Sequence, residues 1–139
     1  DWRAWRVWFG DERCLSADDP QRNSRMAAAA LLDHVPIPPD AVHVIHGELG
    51  AERAAAAYRA ELAAAPEFDL VLLGLGMDGH TVSLSARRLG RTRGALCLAT
   101  GAAKREAVGA WRAGSRLAVA AIRPPAGVDV LVENVCIEG

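Results

Sequence analysis

Lysine is almost missing from this chain: of 16 basic residues in 139, only Lys104 is a lysine and the rest are arginine. With alanine abundant throughout, the bias suits GC-rich coding. It also makes the one ammonium informative, because a merely solvating cation would be arginine here. Cysteine is scarce as well. Cys14, Cys97 and Cys136 are odd in number, far apart and without a C-x-x-C pair, which excludes a disulfide framework and offers no zinc-site spacing. No run of about 18 apolar residues could span a membrane, and Asp1-Trp2-Arg3 opens the chain without an apolar signal region. A cytoplasmic location with no membrane contact is therefore expected. The net charge of -1 lacks the basic excess of a nucleic-acid binder, and an apolar share of 51% excludes a disordered chain. No internal repeat is present. At this length one small domain is expected, and its partner is a small molecule.

What is present is strand followed by polar turn, several times over. Phe68-Asp69-Leu70-Val71-Leu72-Leu73-Gly74-Leu75 has too short an apolar run for a helix and reads as a strand covered on both faces, as in a parallel sheet. It ends in Gly76-Met77-Asp78-Gly79-His80. Arg6 to Phe9 reads as a short strand leading into Gly10-Asp11-Glu12-Arg13-Cys14. Asn23 to Leu32 is an alanine-rich helix stopped by the prolines of Val35-Pro36-Ile37-Pro38-Pro39. Val42 to Ile45 is a brief strand, and Gly50 to Ala65 a helix ending at Pro66. Thr81 to Ala86 could start a helix, Ala95 to Ala99 is a strand, and Thr100-Gly101-Ala102-Ala103-Lys104 turns into a helix running to about Trp111. Leu117 to Ile122 is apolar, Arg123-Pro124-Pro125 a turn, and Val128 to Val132 a last strand. The three-residue spacing of Trp2, Trp5 and Trp8 hints at a helix, but alternation around Val7 and Phe9 favours a strand with core aromatics. Trp111 is expected in the core.

Strands joined by helical crossovers run parallel, so the turns at Gly10 to Arg13, Asp78 to His80 and Thr100 to Lys104 are expected on one edge of the sheet, where ligands of open α/β folds sit. Together they offer carboxylates, an imidazole, a guanidinium and an ammonium, a set suited to an anionic substrate. The helix start near Gly101 adds partial positive charge, and histidine can take a proton near neutral pH. Each residue also has a local role open to it. His80 serves as a base or as a turn hydrogen bond or helix cap, and Asp78 as a site carboxylate or a turn residue. Asp11, Glu12 and Arg13 form a site or a solvated charged turn, while Lys104 and Arg105 bind an anion or face solvent. His34, His43 and His46 read as structural or surface residues. Gly74-Leu75-Gly76-Met77-Asp78-Gly79 matches the dinucleotide pattern G-x-G-x-x-G, yet Leu96 to Gly101 lacks the ribose-binding carboxylate such a site needs.

Val7-Trp8-Phe9-Gly10-Asp11-Glu12-Arg13-Cys14, Asn23 with Met26-Ala27, Val35-Pro36-Ile37-Pro38, His46-Gly47-Glu48 and the whole of Phe68 to Thr81 resemble the 6-phosphogluconolactonase family in order and spacing from Trp5 to Leu84. Thr100 to Ala107 resembles that family's later phosphate-site segment, and Arg123-Pro124-Pro125 its closing part. The resemblance implies a Rossmann-like α/β fold, a mainly parallel sheet with flanking helices, in a single domain over residues 1–139. It also implies a cofactor-free, metal-free cytoplasmic hydrolase of the oxidative pentose phosphate pathway that opens 6-phosphoglucono-1,5-lactone to 6-phosphogluconate. Carried over by position, His80 would activate water, Asp78 and Asp11 would orient His80 or substrate, and Arg13, Lys104, Gly79 and Gly101 would hold the sugar phosphate. Two departures are expected to matter. The family's N-terminal strand and glycine-rich phosphate loop have no counterpart before Trp5, and the stretch after Leu84 is shortened. The sheet is then incomplete relative to the family, and an oligomer would cover its open edges. The rival readings are an inactive sugar-phosphate-binding or interaction remnant, which would bind 6-phosphogluconate without turnover, an amino-sugar phosphate deaminase or isomerase, against which Gly10-Asp11-Glu12-Arg13 speaks, and nucleotide binding, which would show as cofactor protection against thermal unfolding.

Overall fold

Parallel strand pairing organises both parts of the chain. The computed structural model describes residues 1–75, 92–115 and 123–137, and the chain divides into two units, Asp1–Ala65 and Pro66–Gly139. In the first unit β1 (Val7–Trp8) pairs in parallel with β2 (Val42–His43), Val7 opposite Val42 and Trp8 opposite His43. Between them lies α1 (Asn23–Ala30), shorter at its end than the alanine pattern predicts because the chain tightens there into a 3-10 turn over Leu32–His34. α2 (Ala51–Ala64) follows β2. Its alanines are the strongest helix formers, Glu52 lies in its first turn, where the helix dipole favours an acid, and it stops at Ala65, whose extended ψ of 143° is the conformation required before Pro66.

α2 buries Ala54 and Tyr58, four residues apart on one face. The Tyr58 hydroxyl accepts from the Phe9 N–H at 2.8 Å and reaches the carbonyls of Phe9 at 2.9 Å and His43 at 3.3 Å, tying the helix to the ends of both strands. Burial, with the Glu61 charge nearby, outweighs the Phe9 contact and pushes the phenol up to about 12. The Trp8 and His43 rings stack at 3.7 Å, and His43 Nδ1 lies 2.6 Å from Glu61 Oε1 on α2. The expectation of a tryptophan-lined core strand fails for two of the three rings. Trp2–Ala4 is a 3-10 turn capped by the Asp1 side chain, and Trp2 and Trp5 pack on each other at 4.5 Å with Trp5 48% exposed. The Asp1 cap favours a turn, and only Trp8, inside the strand pair, gains a neighbouring strand to pack on.

In the second unit β4 (Gly94–Ala99) lies between β3 (Leu70–Gly74) and β5 (Val128–Val132), all parallel, with Leu73 opposite Cys97 and Cys97 opposite Val130. α3 (Arg105–Arg112) packs Ala107 and Val108 with Leu73, Leu75, Ala95, Cys97, Ala99 and Cys136, and Trp111 lies against this core as expected. Burial pushes the Cys97 thiol up. The other face of the sheet differs from expectation. Leu70, Leu72, Leu98 and Leu131 are exposed, Leu72 by 63%, so among the described residues of this unit the strand is covered on one face only. An apolar run alone cannot tell how many layers pack on a sheet. Thr92 is fully buried, its hydroxyl bonding the carbonyls of Phe68 and Gly94 where β4 begins. The proposed helix at Thr81 to Ala86 and the apolar stretch from Leu117 to Ile122 lie outside the described residues. Among the described residues no helix is long and apolar enough to cross a membrane.

Candidate functional site

The turn after β1 carries the first group of candidate residues, and its geometry is set by the charge in its middle. Glu12 turns inward. Its side chain is 0% exposed, with Oε1 accepting from the amides of Asn23 at 2.6 Å and Arg13 at 2.8 Å, and Oε2 accepting from the amide of Ser24 at 3.0 Å. Arg22, the residue before α1, offers no side-chain cap, so Glu12 from ten positions upstream satisfies the free amides of that helix start. Burial raises the carboxyl, but the Ser24 hydroxyl and the amides of Arg13, Ser24 and Asn23 outweigh it and bring it from 4.5 to about 2. A fully solvated charged turn is therefore excluded for Glu12. Asp11 and Arg13, on either side, are exposed. Asp11 Oδ1 accepts from the Asn23 side-chain amide at 3.0 Å, which fixes the carboxylate at the rim of the turn.

Behind the turn lies a residue that no sequence pattern singled out. Arg22 is 3% exposed, donates to Glu48 Oε2 at 2.8 Å and to the Ile45 carbonyl at 2.7 Å, and holds Nε 3.4 Å from Glu12 Oε2. Glu48 in turn meets His46 Nδ1 at 2.9 Å, and its own backbone amide, His46 and Arg22 hold its carboxyl below the ordinary value. Gly47 presses on the turn from the same side: a Cβ there would lie 2.4 Å from the Arg13 carbonyl oxygen. His46-Gly47-Glu48 was legible as a motif. Its bracing of Gly10 to Cys14 arises only in the tertiary structure.

The second group follows β4. Gly101 adopts φ 86°, a conformation that favours glycine, and opens the 3-10 turn Ala102–Lys104 that leads into α3. Its amide is already engaged, donating to Glu133 Oε2 at 2.8 Å from the segment after β5. The Cys136 thiol reaches the Gly101 carbonyl at 3.2 Å, and Arg105 donates to the Val135 carbonyl through Nε and Nη2. Arg105 therefore has a structural partner. Lys104 is half-buried, and no carboxylate among the described residues pairs with it. Asp78, Gly79 and His80 lie outside the described residues. Asp11 and Arg13 thus share one turn in the first unit, and Gly101 and Lys104 one turn in the second. Both turns sit at the carboxyl ends of parallel strands, the position where open α/β sheets bind ligands. No group of three or more His, Cys, Asp or Glu among the described residues could hold a metal ion.

A family model described as glucosamine-6-phosphate isomerases/6-phosphogluconolactonase matches residues 1–88. The chain belongs to this family. It is 44% identical over 91 residues to a 6-phosphogluconolactonase of Treponema pallidum and 45% identical over 98 residues to one of Streptomyces coelicolor, each alignment covering 60% of this chain and 38% of the relative. A 6-phosphogluconolactonase structure from Thermotoga maritima superposes with a TM-score of 0.84 at 24% identity, over 94% of this chain and 73% of that one. That likeness supports the Rossmann-like α/β fold expected from the sequence. The family match includes the turn of Asp11 and Arg13, the brace of His46 to Glu48, and the stretch from Asp78 to His80. It ends before Gly101 and Lys104.

Proposed function

We propose that this chain hydrolyses 6-phosphoglucono-1,5-lactone to 6-phosphogluconate, a step of the oxidative pentose phosphate pathway, in the cytoplasm and without a cofactor. The observation that carries this reading is the family match over residues 1–88, which contains both the braced turn at Asp11 and Arg13 and the segment ending in His80. In this reading His80 takes a proton from water as its oxygen attacks the lactone carbonyl carbon. The tetrahedral intermediate collapses with cleavage of the bond to the ring oxygen, which leaves as the sugar hydroxyl after taking the proton that His80 received from water. Asp78 and Asp11 orient His80 or the substrate. Arg13 and Lys104, as guanidinium and ammonium, hold the phosphate or ring oxygens, with Gly79 and Gly101 allowing close approach of backbone. Binding the phosphate remote from the carbonyl positions the ester for attack.

The test is the rate of opening of freshly generated lactone, corrected for spontaneous hydrolysis, by the chain and by His80→Ala. A rate above background that falls by about 10²- to 10⁴-fold in the variant is the expected result for loss of a positioned base. Folded protein and variant both at background would defeat the reading, and binding of 6-phosphogluconate without turnover would then mark an inactive sugar-phosphate binder.

A further inference from the structure

We infer that Arg22 is a positioning residue for Arg13, acting through a clamp centred on its buried guanidinium that joins the turn after β1 to the segment after β2. The inference rests on the lactonase reading for what Arg13 binds, but the clamp itself stands on geometry.

Three groups converge on one buried guanidinium: Glu48 Oε2 at 2.8 Å, the Ile45 carbonyl at 2.7 Å and Glu12 Oε2 at 3.4 Å. Glu12 is at the same time bonded to the amides of Arg13, Asn23 and Ser24, so its carboxylate cannot shift without moving Arg13 or releasing the start of α1. Gly47 closes the arrangement, because any side chain there would run into the Arg13 carbonyl. Arg13 itself is exposed and has no ion pair among the described residues, so its guanidinium is free to meet an anion while its backbone is held. A buried arginine is costly unless its charge is answered. Two carboxylates and a carbonyl answer it here: the two terminal nitrogens donate to Glu48 and to the Ile45 carbonyl, while Nε faces Glu12 as an ion pair and makes no hydrogen bond of its own. The turn therefore presents Arg13 in a prepared position, which lowers the ordering cost of binding.

The experiment uses the full chain with Arg22→Gln and, because a buried charge change can hinder folding, Glu48→Gln as the milder variant. Hydrogen exchange is read first, without reference to any substrate. Both variants are expected to speed exchange of the Asn23 and Ser24 amides about tenfold or more, while α2 amides keep their protection. Unchanged exchange at those two amides overturns the inference. Lactone kinetics come second. Arg22→Gln is expected to raise KM about tenfold with kcat little changed, as for loss of uniform binding. In an Arg13→Ala background it should have no further effect on KM. A full, additive effect in that background overturns positioning through Arg13. If the parent chain shows no turnover, the lactonase reading falls, and the clamp is decided by amide exchange alone.

Discussion

The Gly101 N–H donates to the Glu133 carboxylate at 2.8 Å, so the amide expected to help hold a substrate anion already holds one of the chain's own. This contact makes Glu133 a competitor for any anion that would bind the Gly101 amide. Glu133→Gln keeps an acceptor for the Gly101 amide and removes the charge. Calorimetric titration with 6-phosphogluconate should show binding about threefold tighter, the scale of an exposed charge contact. Unchanged or weaker binding would remove Gly101 from the proposed phosphate site.

Gly47 and Gly109 should respond oppositely to alanine. At Gly47 the new Cβ would lie 2.4 Å from the Arg13 carbonyl oxygen and 3.1 Å from its carbon, backbone atoms with little room to yield. Gly47→Ala is expected to cost about 1–3 kcal/mol, as overpacking does. Gly109 lies inside α3, and apart from its chain neighbours and the helix's own backbone no atom lies within 4 Å of its added Cβ. There alanine should stabilise by about 0.5–1 kcal/mol through helix propensity. Urea denaturation of both variants decides it, and equal effects would contradict the packing at Gly47.

Acid should weaken the fold through Glu12. Its carboxyl sits at about 2 when folded, below 4.5, so the folded state binds fewer protons than the unfolded state between those values. The stability it contributes is present above about pH 4.5 and is lost as pH falls through that interval toward 2. Glu48, held below its ordinary value chiefly by its own amide and His46, adds to the same trend. Glu12→Gln should be less stable at neutral pH and show a flatter acid limb in denaturation measured across a pH series. An acid limb as steep as the parent's would rule Glu12 out as its source.

Alkali should act through Tyr58, the single tyrosine of the chain. Its folded value of about 12 lies above the ordinary 10, so its stabilising effect is complete below pH 10 and is lost as pH rises through about 12. Tyrosinate absorbance in the folded protein should appear only near that upper value. Tyr58→Phe should flatten the alkaline limb, leaving the part due to the buried Cys97 thiol, and cost about 1–3 kcal/mol at neutral pH, because the Phe9 N–H loses its partner. Titration near pH 10 in the folded chain would contradict the buried hydroxyl.

Local sequence determined the elements. Alanine content and Pro66 set α2, a short apolar run between glycines set β4, valines set β5, and a helix between the strands made β1 and β2, and β4 and β5, parallel. The polar turns after β1 and β4 were legible for the same reason, since a turn is written in a few consecutive residues. What each charged side chain in those turns does was decided by partners distant in the chain. Glu12 is buried because a helix start ten residues later lacks a cap, Gly101 is occupied because Glu133 returns from the next strand, and Arg22 became important only when Glu48 came within 2.8 Å. Trp2 and Trp5 were misplaced, and the sheet's second face misjudged, on the same grounds. Hydrophobicity states that a residue favours burial, but whether another layer reaches it depends on tertiary packing, which no local pattern encodes.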